Sequence, residues 1–132
     1  MRVFKTKSFA HFARKQSIGD ATLWQAVMDA DAGLIDADLG GGVIKQRVAR
    51  AGQGKRSGFR TIILYRARER ALFVYGFAKN EEDNIGHVDL KNYRHMASTV
   101  LTWHEIQVDR VLANGEWIEI TVSKEDKDAQ EI

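Results

Sequence analysis

The spacing of apolar positions changes several times along the chain, and each change marks an element. Arg2 to Thr6 (RVFKT) reads as a short opening strand, with Val3 and Phe4 on opposite faces. Ser8 is a candidate N-cap for a helix carrying Phe9, Phe12 and Ala13 on one stripe. Asp20 is a second candidate cap, ahead of Leu23, Trp24, Val27 and Met28 at helical spacing, with Gly33 as the stop. The Trp and Met positions on that stripe read as core. Leu34 to Gly42 (LIDADLGGG) lacks either period and reads as a connection.

From Val43 the period becomes two. Ile44, Gln46 and Val48 fall on one face, Lys45 and Arg47 on the other. After the loop AGQGKRSG, Phe59–Arg66 and Ala71–Lys79 form a hairpin around Arg66–Arg70. Both strands are apolar on both faces, so they belong at the sheet centre under helices on at least one side. Leu90 to Ala113 carries the longest helical stripe, through Leu90, Tyr93, Ala97, Val100, Leu101, His104, Val108 and Val111. Asn114-Gly115 ends it, and Glu116 to Val122 alternates as a last strand. Residues 1–122 of the 132 read as a single domain and 123–132 as a charged, frayed tail.

Charge sharpens this picture because it is segregated. Val43 to Arg70 holds nine basic residues and one acid, Glu69, while Gln16 to Gly42 holds five acids and no base. A cationic strand–loop–strand, with Lys55 and Arg56 at the loop tip, points to an anionic partner better than the small net charge does. The chain has no cysteine, which removes thiolate chemistry and disulfides and fits a reducing cytoplasm. No apolar run is long enough to cross a bilayer, and no secretory signal opens the chain.

Other chemistries have thin support. Asp36 and Asp38 alternate in the connection, which suits turn formation better than a hard-cation site. Gly40–Gly42 lacks the strand before it and the Gly-Lys-Ser/Thr after it that a phosphate loop needs. The four histidines form no zinc spacing, and no nucleophile elbow is present. His104 lies on the apolar stripe, His11 and His95 have no visible partner, and His87 stands after the turn that follows the central strand as an acid/base candidate. What remains is guanidinium and ammonium groups on a sheet. RNA supplies its own nucleophile, the 2′-hydroxyl, so a protein can cleave it by aligning that group and neutralising charge on the phosphorus, with no metal or cofactor. Arginine suits phosphate oxygens, and lysine can act as a charge or a base. Phe59, Tyr75 and Tyr93 are aromatics that can stack on a base, with core packing as the alternative for Phe59 and Tyr75.

Three stretches carry a family resemblance: Val43-Ile44-Lys45-Gln46-Arg47, then Gly52 to Arg60 (GQGKRSGFR), then Phe77-Ala78-Lys79-Asn80-Glu81. In that order they resemble the RelE/HigB-like toxins of bacterial toxin–antitoxin pairs, and the match runs to about Asn114. The resemblance implies an α+β fold: a small antiparallel sheet packed against two N-terminal helices, with a longer C-terminal helix. It implies an endoribonuclease that cleaves mRNA, in most relatives on the ribosome, and is silenced by a cognate antitoxin from an adjacent gene. Lys45, Arg47, Arg60 and Lys79 fall on basic positions that such toxins use, and Lys55 and Arg56 lie in a loop that is basic in some relatives. The expected catalytic set is Lys45, Arg60, Lys79 and His87, with Arg47, Arg50, Lys55 and Arg56 binding RNA. Asn80 stands where some relatives carry an arginine, and no tyrosine occurs from Glu81 to Asn92, which leaves His87 or Tyr93 as substitutes. Two other functions fit the same features: a gyrase-inhibiting toxin of the related ParE group, and a nucleic-acid-binding module without catalysis.

Overall fold

The computed structural model describes residues 1–50, 54–78 and 86–122, the side chains of residues 50, 55–57, 87 and 88 excepted. Strand β1 (Arg2–Thr6) leads into helices α1 (Lys7–Lys15) and α2 (Asp20–Asp31). Strands β2 (Ala37–Gly40), β3 (Val43–Arg50), β4 (Gly54–Arg66) and β5 (Arg70–Ala78) follow. Helices α3 (His87–Val100) and α4 (Glu105–Ala113) and strand β6 (Trp117–Ile120) complete the order.

The strands form one sheet in the order β2-β3-β4-β5-β1-β6. The expected fully antiparallel sheet is corrected here. β1 runs parallel to β5 on one side and antiparallel to β6 on the other, so the sheet is mixed. The cause is visible in β1 itself: Val3 and Phe4 are both fully buried, on opposite faces, which an edge strand does not achieve. β4 and β5 lie inside the sheet, as their two-faced apolar pattern requires, and Ile62, Ile63, Leu64, Leu72 and Phe73 are fully buried.

Each sheet face has its own core. Val3, Ile44, Val48, Phe59, Ile63 and Phe73 pack with Phe9 and Ala13 of α1 and Leu23, Ala26 and Val27 of α2. Trp24 and Met28 pack against this core half-buried, as their stripe implied. Phe4, Val43, Ile62, Leu64, Leu72 and Phe77 pack with Ala97, Val100, Val108 and Val111 from the C-terminal helices. Burial of each of the larger side chains among these contributes about 1.5–3 kcal/mol, so the two faces share the work of folding. α1 approaches β5 closely because position 76 is glycine: a Cβ there would stand 2.3 Å from Cε2 of Phe12.

Local details depart from the sequence reading in five places. The cap of α1 is Thr6, whose Oγ1 accepts from the Phe9 N–H at 3.1 Å, rather than Ser8. Gly19 precedes α2, and Asp20 instead takes a 2.8 Å ion pair from Lys5. The Leu34–Gly42 connection contains β2, which makes a hairpin with β3, and the glycine run is its turn. Gly41 there has φ +62°, and a Cβ would meet Cγ of Arg94 at 2.8 Å. The loop after β3 is shorter than expected because the β3–β4 ladder continues past a bulge to an Arg50–Gly54 pair. Lys55 and Arg56 are therefore strand residues along the backbone.

The fifth departure is the long C-terminal helix, which is two helices broken at Leu101–His104. Its apolar stripe is real, but the break is held by a residue distant in sequence. Arg70 donates from Nη1 to the carbonyls of Val100 and Trp103, both at 2.9 Å, and from Nη2 to Glu105 at 3.0 Å. A cation there satisfies carbonyls that the end of α3 leaves open, and Glu105 sits in the first turn of α4, where negative charge is favoured. Thr102 Oγ1 adds a bond to the Thr99 carbonyl at 2.9 Å. His104 is consequently not on a buried helical stripe. It is an exposed N-cap residue whose backbone N–H donates to Oε1 of Gln107 at 2.8 Å.

Candidate active site

The strand register gathers part of the predicted basic set on one sheet face. Arg47 lies opposite Arg60, which lies opposite Phe77; one step along, Lys45 lies opposite Ile62, which lies opposite Tyr75. Adjacent strands are about 5 Å apart, so Lys45, Arg47, Arg60 and Tyr75 occupy neighbouring positions of a single surface. This is the face that carries α3 and α4 further along, and the same residues' alternates, Gln46 and Phe59, point to the other core.

Arg60 is the unusual member. It is only 8% exposed, and its Nη1 is the buried side-chain nitrogen left without a hydrogen bond among the described residues. A buried donor without an acceptor costs free energy in the isolated protein, and an arriving anion would remove that cost. Its neighbour Phe77 is buried, and Tyr75 is 38% exposed with its ring 5.9 Å from that of Phe77. Phe59, by contrast, is core, and Tyr93 is half-buried against the core under α3. Lys45 is half-buried on the face.

Arg47 is drawn toward the sheet edge, where its Nε meets Oδ1 of Asp36 at 2.8 Å. Asp36 is placed by the strand between them. Gln46, buried on the opposite face of β3, accepts from the Asp36 N–H at 2.8 Å and donates to the carbonyls of Ala26 and Leu34. Sequence reading treated Asp36 as a solvated turn residue and Gln46 as one polar position in an apolar alternation. Neither spacing signals the network that joins them.

The other predicted positions are placed less completely. Arg50 ends β3 and pairs along the backbone with Gly54; Lys55 and Arg56 follow in β4. His87 is the first residue of α3. Lys79, the Asn80–Asn84 turn and the tail at 123–132 lie outside the described residues. His11 and His95 are exposed on α1 and α3.

Not every cation of Val43–Arg70 belongs to this face. Arg66 pairs with Glu69, and Arg70 holds the α3–α4 break, at the far end of the β4–β5 hairpin. Arg2 adds to that end, with Glu119 foremost and Glu105 second raising its basicity, against the opposing effect of burial. Arg2 and then Arg70 hold the Glu105 carboxyl below its usual range. Tyr65, half-buried and bonded to Asp31, is pushed above the usual tyrosine value, by desolvation first and by Asp31 second, and Asp31 also accepts from the Arg68 N–H at 3.0 Å. This end is a network of structural charge.

A mixed sheet with helices on both faces, and with Lys45, Arg47 and Arg60 at neighbouring positions of one face, defines a small α+β protein. Residues 1–120 match the family described as the RelE toxin of the RelE/RelB toxin–antitoxin system, and the chain belongs to that family. It is thus the toxin of a toxin–antitoxin pair, with an antitoxin as partner. No curated protein matches the chain. Among the described residues, no helix is long and apolar enough to cross a membrane.

Proposed function

We propose that the chain is a metal-independent endoribonuclease that cleaves mRNA engaged on the ribosome, using the RNA's own 2′-hydroxyl. The observation that carries this reading is Arg60, buried on the sheet face with an Nη1 that has no partner among the described residues, and with Lys45 and Arg47 on the neighbouring strand. The donor set agrees, since no three His, Cys, Asp or Glu side chains gather into a metal cluster among the described residues. Membership of a family whose usual activity is mRNA cleavage agrees as well.

In this reading Arg60 takes the non-bridging oxygens of the scissile phosphate. Negative charge grows there as the 2′-oxygen bonds to phosphorus and the bond to the 5′-oxygen breaks, leaving a 2′,3′-cyclic phosphate and a 5′-hydroxyl. Donors fixed before the reaction need no reorganisation as that charge develops. Lys45 supplies a second positive charge from β3, and Arg47, Arg50, Lys55 and Arg56 hold the flanking backbone. Lys79 and His87 are the proposed groups for moving the proton from the 2′-hydroxyl to the departing 5′-oxygen. The antitoxin silences the toxin by covering this cationic face.

Expression of the chain without its antitoxin is expected to arrest growth and shorten messages, and purified chain added to programmed ribosomes to cut the bound mRNA. Full-length messages under confirmed expression would contradict the reading. A change in plasmid supercoiling in place of RNA cutting would favour gyrase inhibition instead.

A further inference from the structure

Base stacking in this protein falls to a residue of the sheet itself. We infer that Tyr75 is the specificity-determining aromatic of the site, stacking on the nucleobase beside the phosphate held by Arg60. This rests on the endoribonuclease reading above. Three observations carry it.

The first is placement. Tyr75 lies opposite Ile62, and Arg60 lies two residues from Ile62 on the same face. That makes Arg60 and Tyr75 diagonal neighbours across the β4–β5 pair, about 7–8 Å apart and within mutual reach of long and aromatic side chains. A phosphate on Arg60 therefore brings the sugar and base of its own nucleotide toward the ring.

The second is the backbone. The β4–β5 register shifts between Ile62 and Ile63, because Ile62 faces Tyr75 while Ile63 faces Phe73. Val74 is the extra residue, and it joins the same core as Ile62. A regular ladder would turn consecutive residues to opposite faces. The bulge instead fills the core with Val74 and leaves Tyr75 as a second side chain on that face, which is how bulges re-aim residues beside functional sites.

The third is exposure. In a strand whose other apolar side chains are all buried, Tyr75 is 38% exposed. Phe77 backs it with a ring centroid 5.9 Å away at 36°, so the ring is braced on one side while the residue stays part-exposed. Of the three aromatics the sequence offered, Phe59 is sealed in the opposite core and Tyr93 packs under α3.

The test compares wild type, Tyr75→Ala, Tyr75→Leu and Tyr75→Phe in cutting ribosome-bound mRNA, with a thermal melt of each. Stacking on one base predicts that Tyr75→Ala and Tyr75→Leu raise KM roughly tenfold or more and flatten the preference among cut sites. Tyr75→Phe is expected to restore most of both, because it keeps the ring and loses only the hydroxyl. Tyr75→Leu keeps an apolar side chain on Phe77, leaves less space than alanine does, and keeps the result interpretable if the alanine variant melts early. Wild-type cutting with an unchanged KM and cut-site preference in a folded Tyr75→Leu variant would overturn the inference alone. Loss of activity in Tyr75→Phe equal to that in Tyr75→Leu would also overturn it, by assigning the work to the hydroxyl. Absence of cutting by wild type would instead overturn the endoribonuclease reading on which it rests.

Discussion

Arg60 and Arg70 sit near opposite ends of the same hairpin, about 20 Å apart along β4, and each is 8% exposed. Arg70 bonds two carbonyls and a carboxylate and fixes the break between α3 and α4. Arg60 keeps a buried Nη1 with no acceptor among the described residues. Two guanidinium groups of equal burial thus differ in their partners: one closes the fold, and the other is the group we propose for the phosphate. A buried cation is informative only together with its partners.

Substitutions should separate the two ends. Arg70→Met removes the cation from three acceptors and leaves open the carbonyls of Val100 and Trp103. It is expected to cost about 3 kcal/mol, read as a large drop in the denaturant midpoint. A loss under about 1 kcal/mol would remove the structural role assigned to Arg70. At the same end, Asp31→Ala deletes the acceptor for the Tyr65 hydroxyl and the Arg68 N–H, and should cost about 1–2 kcal/mol by the same measurement.

At the Arg60 end, the ion pair between Asp36 and Arg47 is a partly exposed contact. Asp36→Ala should change stability by less than about 1 kcal/mol. It should nevertheless tighten RNA binding and steepen its dependence on salt by about one charge, since Arg47 is released to a phosphate. An unchanged salt slope would mean that Arg47 does not reach RNA.

The smallest expected effect is on pH dependence. Arg2 and Arg70 depress the Glu105 carboxyl, so its contribution to stability is present above the unfolded value, about 4.3, and is lost as pH falls through the lower folded value. Melts of Glu105→Gln are expected to show a shallower loss of stability below about pH 4.3 than wild type. Identical acid limbs would show the interaction to be too screened to matter.

Apart from β2 and the α3–α4 break, the order of elements was legible in the sequence, because apolar periodicity follows from which faces are buried. The central hairpin, the N-terminal helical pair and the alternation of Lys45 and Arg47 against Ile44, Gln46 and Val48 all follow from local spacing. What spacing cannot carry is pairing between distant segments. Nothing near Val3 and Phe4 says that β1 runs parallel to β5, and nothing between Leu101 and His104 reveals the guanidinium that ends α3. The candidate site was legible as charge: Lys45, Arg47 and Arg60 do share a face. Charge alone also swept in Arg66 and Arg70, whose partners lie in other elements. Tyr75 was visible as an aromatic, but its exposure depends on a register shift that only the paired strands show.

The most direct test of the central claim is Arg60→Met, with mRNA cutting on ribosomes and a thermal melt measured on the same preparation. The account predicts a fold within about 1 kcal/mol of wild type, because the side chain removed carries an unsatisfied buried nitrogen. It also predicts a loss of cutting of about 100-fold or more, as for removal of a preorganised donor to a developing anion. Undiminished cutting by the folded variant, or a collapse of stability as large as that of Arg70→Met, would contradict it.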